Sequence, residues 1–435
     1  MRCELVCWML EVRSGMAIAE FAAARPAQMK NLTLRFGLVS LLASVSTHTT
    51  PASLAHASRS GEQPLASGGA ETQGKVGHES FDKLKARAEA AMEADRIPES
   101  IQLYNRATKL RPNWSEGWWH LGTLLFDSAR FGEARDAFLH FLASERKQPG
   151  PGFLMLGLTE FELKHYEKAL AALEGGMKTG LGTDPGFARN VLLHDAELNT
   201  LFQKPEIALQ RLTLAANRIA ARHPEGPKDA VFSDRELLDE FGVSALQMQR
   251  LVSNLAPEKI VLVRQAGRAQ ALIALQDRVG AAAEFETLLA QFAAEPGVNY
   301  MYGVFLLKEH PSQAAGAFRR ELEVSPSHVP ATIQLALRSL ETAEYEQGLA
   351  YAKQAVGLAP GSFVAHLACG RLYLALGQTD AGLQETRIAV KLAPGSPDAH
   401  FALSRALADA GHNEEAARER AEFERLKALS DAANE

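Results

Sequence analysis

The chain has 435 residues, 46% hydrophobic and 23% charged, with a formal net charge of −6. Its mildly acidic balance, with no stripe of clustered Lys and Arg, argues against a nucleic-acid binder, whose partner's phosphates demand such clusters. Apolar content is ample for a core, and no sustained alternating apolar run predicts a strand, so the fold class is all-α.

The N-terminus reads as an export signal. Lys30 and Arg35 precede an apolar run from Phe36 to about Ser46, and Ala55-His56-Ala57 supplies the small-x-small pattern that a signal peptidase reads. The run is too short to span a bilayer as a helix. Residues 1–57 are therefore expected to be a leader, with Met29 as the alternative start. Cleavage after Ala57 removes five basic and three acidic residues and leaves a formal charge of −8. It also removes Cys3 and Cys7, so Cys369 stands alone, no intramolecular disulfide is possible, and a core-packing role is expected for it. No Cys flanks the cleavage site, so neither a lipid anchor nor any other stable membrane anchor is expected in the mature chain. Residues 58–80, rich in Gly, Ser, Gln and Ala, carry too little apolar surface to offset their ordering entropy and read as a flexible linker.

From residue 81 a phrase of residue types recurs about every 34 positions. The first copy, 81–114, has Ala88, Tyr104, Ala107 and Pro112. The second is the clearest: Trp118, Leu121 and Leu125 form a helical stripe, Gly122 lets a second helix approach, and Phe131, Ala134 and Phe138 belong to that second helix. The third, 150–183, has Leu156, Gly157, Tyr166, Ala169 and Leu173; the fourth, 189–222, has Ala196, Ala208, Leu212 and Ala215.

After Pro224-Glu225-Gly226-Pro227 the phrase breaks. Within 223–261, Ser233 with Glu236 and Ser244 with Gln247 have capping-box spacing and predict two short helices. The stretch is either a degenerate repeat or a functional insert carrying Asp229, Asp234, Glu236, Asp239 and Glu240, acids expected on a solvated face. The phrase resumes at 262–295 with Ala269, Ala281 and Phe285. At 297–328 it has Gly303, Ala314, Phe318 and Pro326 with a helix-to-helix loop one residue short. Three regular copies close the chain: Leu335, Ala336, Tyr345, Ala355 and Pro360; Gly370, Tyr373, Gly377, Ala389 and Pro394; Leu403, Gly411, Ala416 and Phe423.

This order of Trp, Leu, Gly, Tyr, Ala, Phe, Ala and Pro resembles the tetratricopeptide repeat family, whose unit is about 34 residues long. Arg87 and Asp195 depart from it at usually apolar places. The resemblance implies a right-handed superhelical solenoid of about nine helix pairs, four in 81–222 and five in 262–435. It also implies a concave groove lined by the first helix of each pair, with Trp119, Thr123 and Phe126 from the second unit beside Leu154, Leu158 and Phe161 from the third. A protein or peptide would dock there. Lys85 fits one place of the family's carboxylate-clamping basic set, but Ala86, Trp119 and Thr123 do not continue it. Arg371 and Arg405 occupy equivalent places and are candidates for an acidic partner segment.

Catalytic signatures are absent from the sequence. There is no phosphate loop, no His-Glu-x-x-His zinc helix and no nucleophile elbow, and repeats leave no span of about 100 residues for a catalytic domain. His194-Asp195 could meet the acids of 234–240 after folding. No cofactor or metal is expected. The reading is a periplasmic or secreted bacterial scaffold, non-enzymatic, that holds a protein partner, with envelope assembly as the example implied by the resemblance. Its alternative is an accessory subunit of a separately encoded enzyme.

Overall fold

The computed structural model describes residues 79–434, and side chains through 429. The expected leader and the linker up to residue 78 lie outside these residues. Among the described residues there are twenty α-helices, two short 3₁₀ turns and no strand, and no helix is long and apolar enough to cross a membrane. Contacts divide the chain into two compact units at Leu124 and Leu125.

In the first unit, α1 (Phe81–Glu93) and α2 (Ile97–Leu110) form an antiparallel pair, followed by the first turns of α3 (Ser115–Asp127). Ser80 caps α1 by accepting from the Lys83 amide at 3.4 Å. Ala88, Ala91 and Ala107 are completely buried, and the Ser100 hydroxyl donates to the Ala88 carbonyl at 3.0 Å, which ties the two helices where side chains are smallest. The Trp118 indole donates to the Pro112 carbonyl at 2.8 Å, so the first residue of the repeat phrase holds the loop before it. Arg87, a departure from the family pattern, needs no core place: it is exposed and pairs with Glu79 at 2.6 Å.

The second unit holds the rest of α3 and seventeen further helices. Antiparallel pairs are α5 (Gly150–Glu162) with α6 (Tyr166–Met177), α7 (Pro185–Leu201) with α8 (Pro205–Arg222), and α13 (Val298–Leu306) with α14 (Pro311–Val324). They continue as α15 (Val329–Glu341) with α16 (Tyr345–Leu358), α17 (Phe363–Ala375) with α18 (Thr379–Leu392), and α19 (Pro397–Asp409) with α20 (Asn413–Asn434). A further helix, α4 (Phe131–Ser144), packs on α5. Consecutive pairs pack on one another, with the helices of residues 227–292 standing between α8 and α13, which is the helix-pair stacking of a solenoid.

Small residues set the spacing. A Cβ on Gly370 would sit 2.7 Å from the Thr386 methyl and 3.2 Å from the Gly382 carbonyl oxygen, and one on Gly157 would meet Leu173 at 2.6 Å. The turn inside a pair also repeats: Ala129, Lys164, Gln203, Gln276, Ala343, Gly377 and Gly411 take left-handed backbone angles, φ from 56° to 80°. Only the last two are glycine. The α13–α14 turn, residues 307–310, has no such residue.

Residues 223–261 fold into α9 (Pro227–Ser233), α10 (Arg235–Ala245) and a connection containing the two 3₁₀ turns, Val252–Asn254 and Pro257–Lys259. The capping boxes are not formed. Asp234 caps α10 by accepting from the Leu237 amide at 3.1 Å, while Ser233 ends α9 and donates to Asp229 O at 2.7 Å. Ser244 lies inside α10, buried against Thr200, with the two hydroxyls 2.7 Å apart. An aspartate one residue later had the free geometry to cap, so the serine did not.

Asp229 and Glu236 are exposed as expected of a solvated face, but Asp239 and Glu240 are not. Every residue from Leu237 to Ala245 is buried, because α10 is enclosed by α7, α8 and α11 (Ile260–Ala274), which in turn packs on α12 (Arg278–Phe292). The α10–α11 crossing is backbone against backbone. A Cβ on Gly242 would fall 1.9 Å from the Val263 carbonyl oxygen, and one on Gly267 would fall 1.8 Å from that of Leu238.

Replacing either glycine by alanine forces two helices apart. Gly242→Ala and Gly267→Ala should each lower stability by about 1–3 kcal/mol, the usual cost of overpacking. Gly175→Ala, in α6 with nothing within 4 Å of its would-be Cβ, should be neutral or slightly stabilising. Denaturant midpoints of the three variants check this; equal midpoints would contradict the close crossing.

Candidate functional site

The residues expected to line a groove do not form an open apolar strip. Trp119 is completely buried, Leu154 is 1% exposed and Leu158 7%, and Thr123 is buried with its hydroxyl donating to the His120 carbonyl at 3.0 Å. Leu154 fills the place beside Gly176, where a Cβ would meet it at 2.6 Å. The expectation of docking on these four side chains is corrected: their apolar surface is already used in helix packing. Phe126 and Phe161 are half-buried, the first against Phe131 at 5.4 Å between ring centroids, the second against His194 at 4.3 Å and Tyr166 at 5.6 Å. Arg371 and Arg405 are exposed, 34 residues apart in the sequence.

Around His194 the fold assembles a polar network that the sequence only hinted at. Arg189 of α7 donates from Nε and Nη2 to the two Asp234 oxygens, both at 2.5 Å, and from Nη2 to Glu236 at 2.9 Å. Burial works against the charged guanidinium, yet these two carboxylates hold its pKa above the ordinary arginine value. Arg264 of α11 makes a two-pronged bond to Asp239, at 2.9 and 2.7 Å. The His194 Nδ1 lies 3.3 Å from Glu197, and although burial opposes its charge, Glu197, Glu236 and Glu162 raise its pKa.

Glu240 has none of this compensation. It is 4% exposed, no donor reaches its Oε2, and burial together with the charges of Glu197, Glu236 and Asp239 pushes its pKa well above the ordinary carboxylate range. Spacing of four residues puts Glu236 and Glu240 on one face of α10, where like charges oppose each other. Asp195, next to His194 in sequence, points elsewhere: it is buried and accepts from Arg211 Nε at 2.8 Å and Asn199 Nδ2 at 3.1 Å. Asp229 also stays apart, on α9.

On another side of α11 lies an open groove of about 700 Å³ between α9, α11 and α12. Phe232, Val261 and Leu272 supply its apolar surface, and Val261 is 62% exposed. Lys228, Arg264 and Arg268 supply its polar edge. Each cation is held by a carboxylate: Lys228 by Asp277, Arg264 by Asp239, and Arg268 by Glu284 at 2.8 Å. The Arg268 guanidinium also covers the Phe232 ring at 4.3 Å. Pairing through one edge of each guanidinium leaves further N–H groups for an acceptor.

Two histidines that looked scattered share one place in the repeat. His366 bonds Glu385 at 2.6 Å and the Pro360 carbonyl at 3.0 Å, and His400 bonds Glu419 at 2.5 Å and Pro394 at 3.0 Å. The histidine and both its partners recur 34 residues on, so aligning the copies by polar as well as apolar residues would have found them. Their role is to fasten each pair to the loop before it. Cys369 is buried, and burial pushes its thiol pKa up to about 12, consistent with packing. Among the described residues no group of three His, Cys, Asp or Glu is arranged to hold a metal ion.

Residues 85–151 and 367–432 match the tetratricopeptide repeat family profile. No curated protein matches the chain significantly in sequence. Among solved structures, a MamA fragment from Desulfovibrio magneticus RS-1 is similar over 39% of this chain and 97% of its own, at 19% identity and TM-score 0.36. A MamA structure designated MSR-1 gives 18% identity over 39% and 99%, with TM-score 0.33. Likeness at these scores transfers no function.

The buried acid makes a pH signature. Its folded pKa lies above the unfolded value, so the folded state holds the extra proton, and that stability is full below about pH 4.5 and lost as pH rises through the folded pKa. His194, also raised, adds loss of the same sign. Glu240→Gln should therefore be more stable than the parent at pH 8 and show a flatter pH dependence. Thermal melts from pH 5 to 8 check this; parallel curves would contradict it.

Proposed function

Because this chain carries tetratricopeptide repeats, we propose that it is a periplasmic or secreted, non-enzymatic scaffold that holds a protein partner, with a role in envelope assembly. Support for export is the order of charge, apolar run and small-x-small site in 30–57. The observation that carries the partner reading is the groove between α9, α11 and α12. Within it Val261 stands exposed beside the half-buried Phe232, and an exposed apolar patch with a polar edge marks an interaction site. Its occupant is a partner segment with an apolar side chain for the Phe232–Val261–Leu272 surface, flanked by acceptors for the two arginines. Residues 223–261 supply one wall through α9, so the interruption in the repeats is what distinguishes this surface from an unbroken stack.

The test uses protein isolated from envelope extract, whose N-terminus should begin near Ser58, with a photo-crosslinker in place of Val261. Crosslinking should trap a partner at that site, and Val261→Asp should weaken its binding about ten-fold or more without lowering the melting temperature. A terminus at Met1 or Met29 in the cytoplasm would overturn the location. Full partner affinity in the Val261→Asp chain would overturn the groove.

A further inference from the structure

In the last three copies a side chain caps the first helix of the pair, and one of the three caps can titrate. Ser362 accepts from the Ala365 amide and Ser396 from the Ala399 amide, each at 3.3 Å, so each satisfies a donor that has no partner inside its helix. Thirty-four residues before Ser362 the same place is held by His328, whose Nδ1 accepts from the Ala331 amide at 3.2 Å. A serine hydroxyl does not change charge between pH 4 and 8; an imidazole does. Accepting at Nδ1 fixes the neutral tautomer with its hydrogen on Nε2. The ring is enclosed: its side chain is 10% exposed, and Tyr300 of α13 covers it at 4.8 Å between ring centroids. Nε2 lies 3.8 Å from Glu321 Oε1, too far for a hydrogen bond. Glu321 of α14 is buried and already committed, since it accepts from the amides of Gly297 at 2.7 Å and Tyr300 at 3.1 Å and so caps α13. Its neighbour Arg320 turns to the Asn299 side chain at 3.3 Å, and from α16 the neutral Gln354 donates to the Pro326 carbonyl at 3.1 Å, tying the loop before His328. One knot of His328, Glu321 and Tyr300 thus holds the starts of α13 and α15.

We propose that His328 is an acid-sensitive cap: its protonation releases the N-terminus of α15 and loosens the joint between the α13–α14 pair and the α15–α16 pair, while the serine-capped pairs stay closed. Two effects act together. A protonated Nδ1 is a donor facing a donor, so the bond to the Ala331 amide is lost. The new positive charge is then buried at the positive end of a helix. Glu321 is the acid beside it, but turning to the imidazolium would take its oxygens from the two amides that open α13. The sign follows from burial, which pushes the His328 pKa down to about 4 from its ordinary 6.5. The cap's stability is therefore full above pH 6.5 and is lost as pH falls through about 4. Burial raises the pKa of Glu321, whose contribution has the opposite sign, full below pH 4.5 and lost as pH rises. The device does not depend on what the groove between α9, α11 and α12 holds.

Amide hydrogen exchange of the full chain at pH 7 and pH 5, corrected for the intrinsic pH dependence of exchange, reads the cap against its own internal controls. Amides from Ala331 to Leu335 should lose protection about ten-fold or more between the two pH values, while the equivalent amides behind the serine caps, Ala365 to Cys369 and Ala399 to Leu403, keep theirs. His328→Ser installs the cap of the two following copies and should cut the loss in α15 to less than about three-fold; His328→Asn, a second neutral cap, should do the same. Both variants retain Glu321, Glu240 and His194, so the share of those groups in the pH dependence cancels in the comparison with the parent. Equal loss in all three helices, no loss in α15, or an undiminished loss in α15 of both variants would overturn the proposal, and the comparison of helices within the parent chain decides it even where a variant does not fold.

Discussion

Close approach of helix backbones at small residues is the constraint on which the rest depends. A stacked helix pair has a thin core, so each Å of separation exposes a large share of what it buries. Ala88, Ala107, Gly157, Gly370 and Gly382 occupy the contacts where a larger side chain would hold helices apart. The extreme case is Gly242 with Gly267, where the neighbouring carbonyl occupies the space of a Cβ. That crossing draws α10 into the stack and so decides what residues 223–261 become.

Once α10 is enclosed, its acids must be answered from neighbouring helices. Arg189 and Arg264 do this for Asp234, Glu236 and Asp239, and Glu240 is left over. The same burial places α9 beside α11, which opens the groove at Phe232 and Val261 on a different side. A basic-edged apolar groove and an acidic network are thus consequences of one packing event and share a residue, Arg264.

Repeat periodicity made the fold legible: Ala, Gly and Phe at fixed spacing determine helix pairs almost without regard to the polar residues between them. The surfaces were less legible, for a physical reason. Trp119, Leu154 and Leu158 have the residue types of a docking strip and of a core alike, and only neighbouring helices decide which. The acids of 234–240 were visible, and so was His194, but their meeting depends on α10 lying against α7, a contact with no periodic signature. Asp195 illustrates the limit from the other side, since its neighbour Arg211 is 16 residues away on the paired helix and turns a departure from the pattern into a buried ion pair.

Amide hydrogen exchange of α10 relative to its flanking repeats tests the central claim most directly. If the Gly242–Gly267 crossing builds α10 into the stack, amides from Leu238 to Ala245 should exchange as slowly as those of α7 and α11, through the same cooperative opening. Rapid exchange in α10 while α7 and α11 remain protected would mean that the segment is an appendage, and neither groove nor network would be built as described.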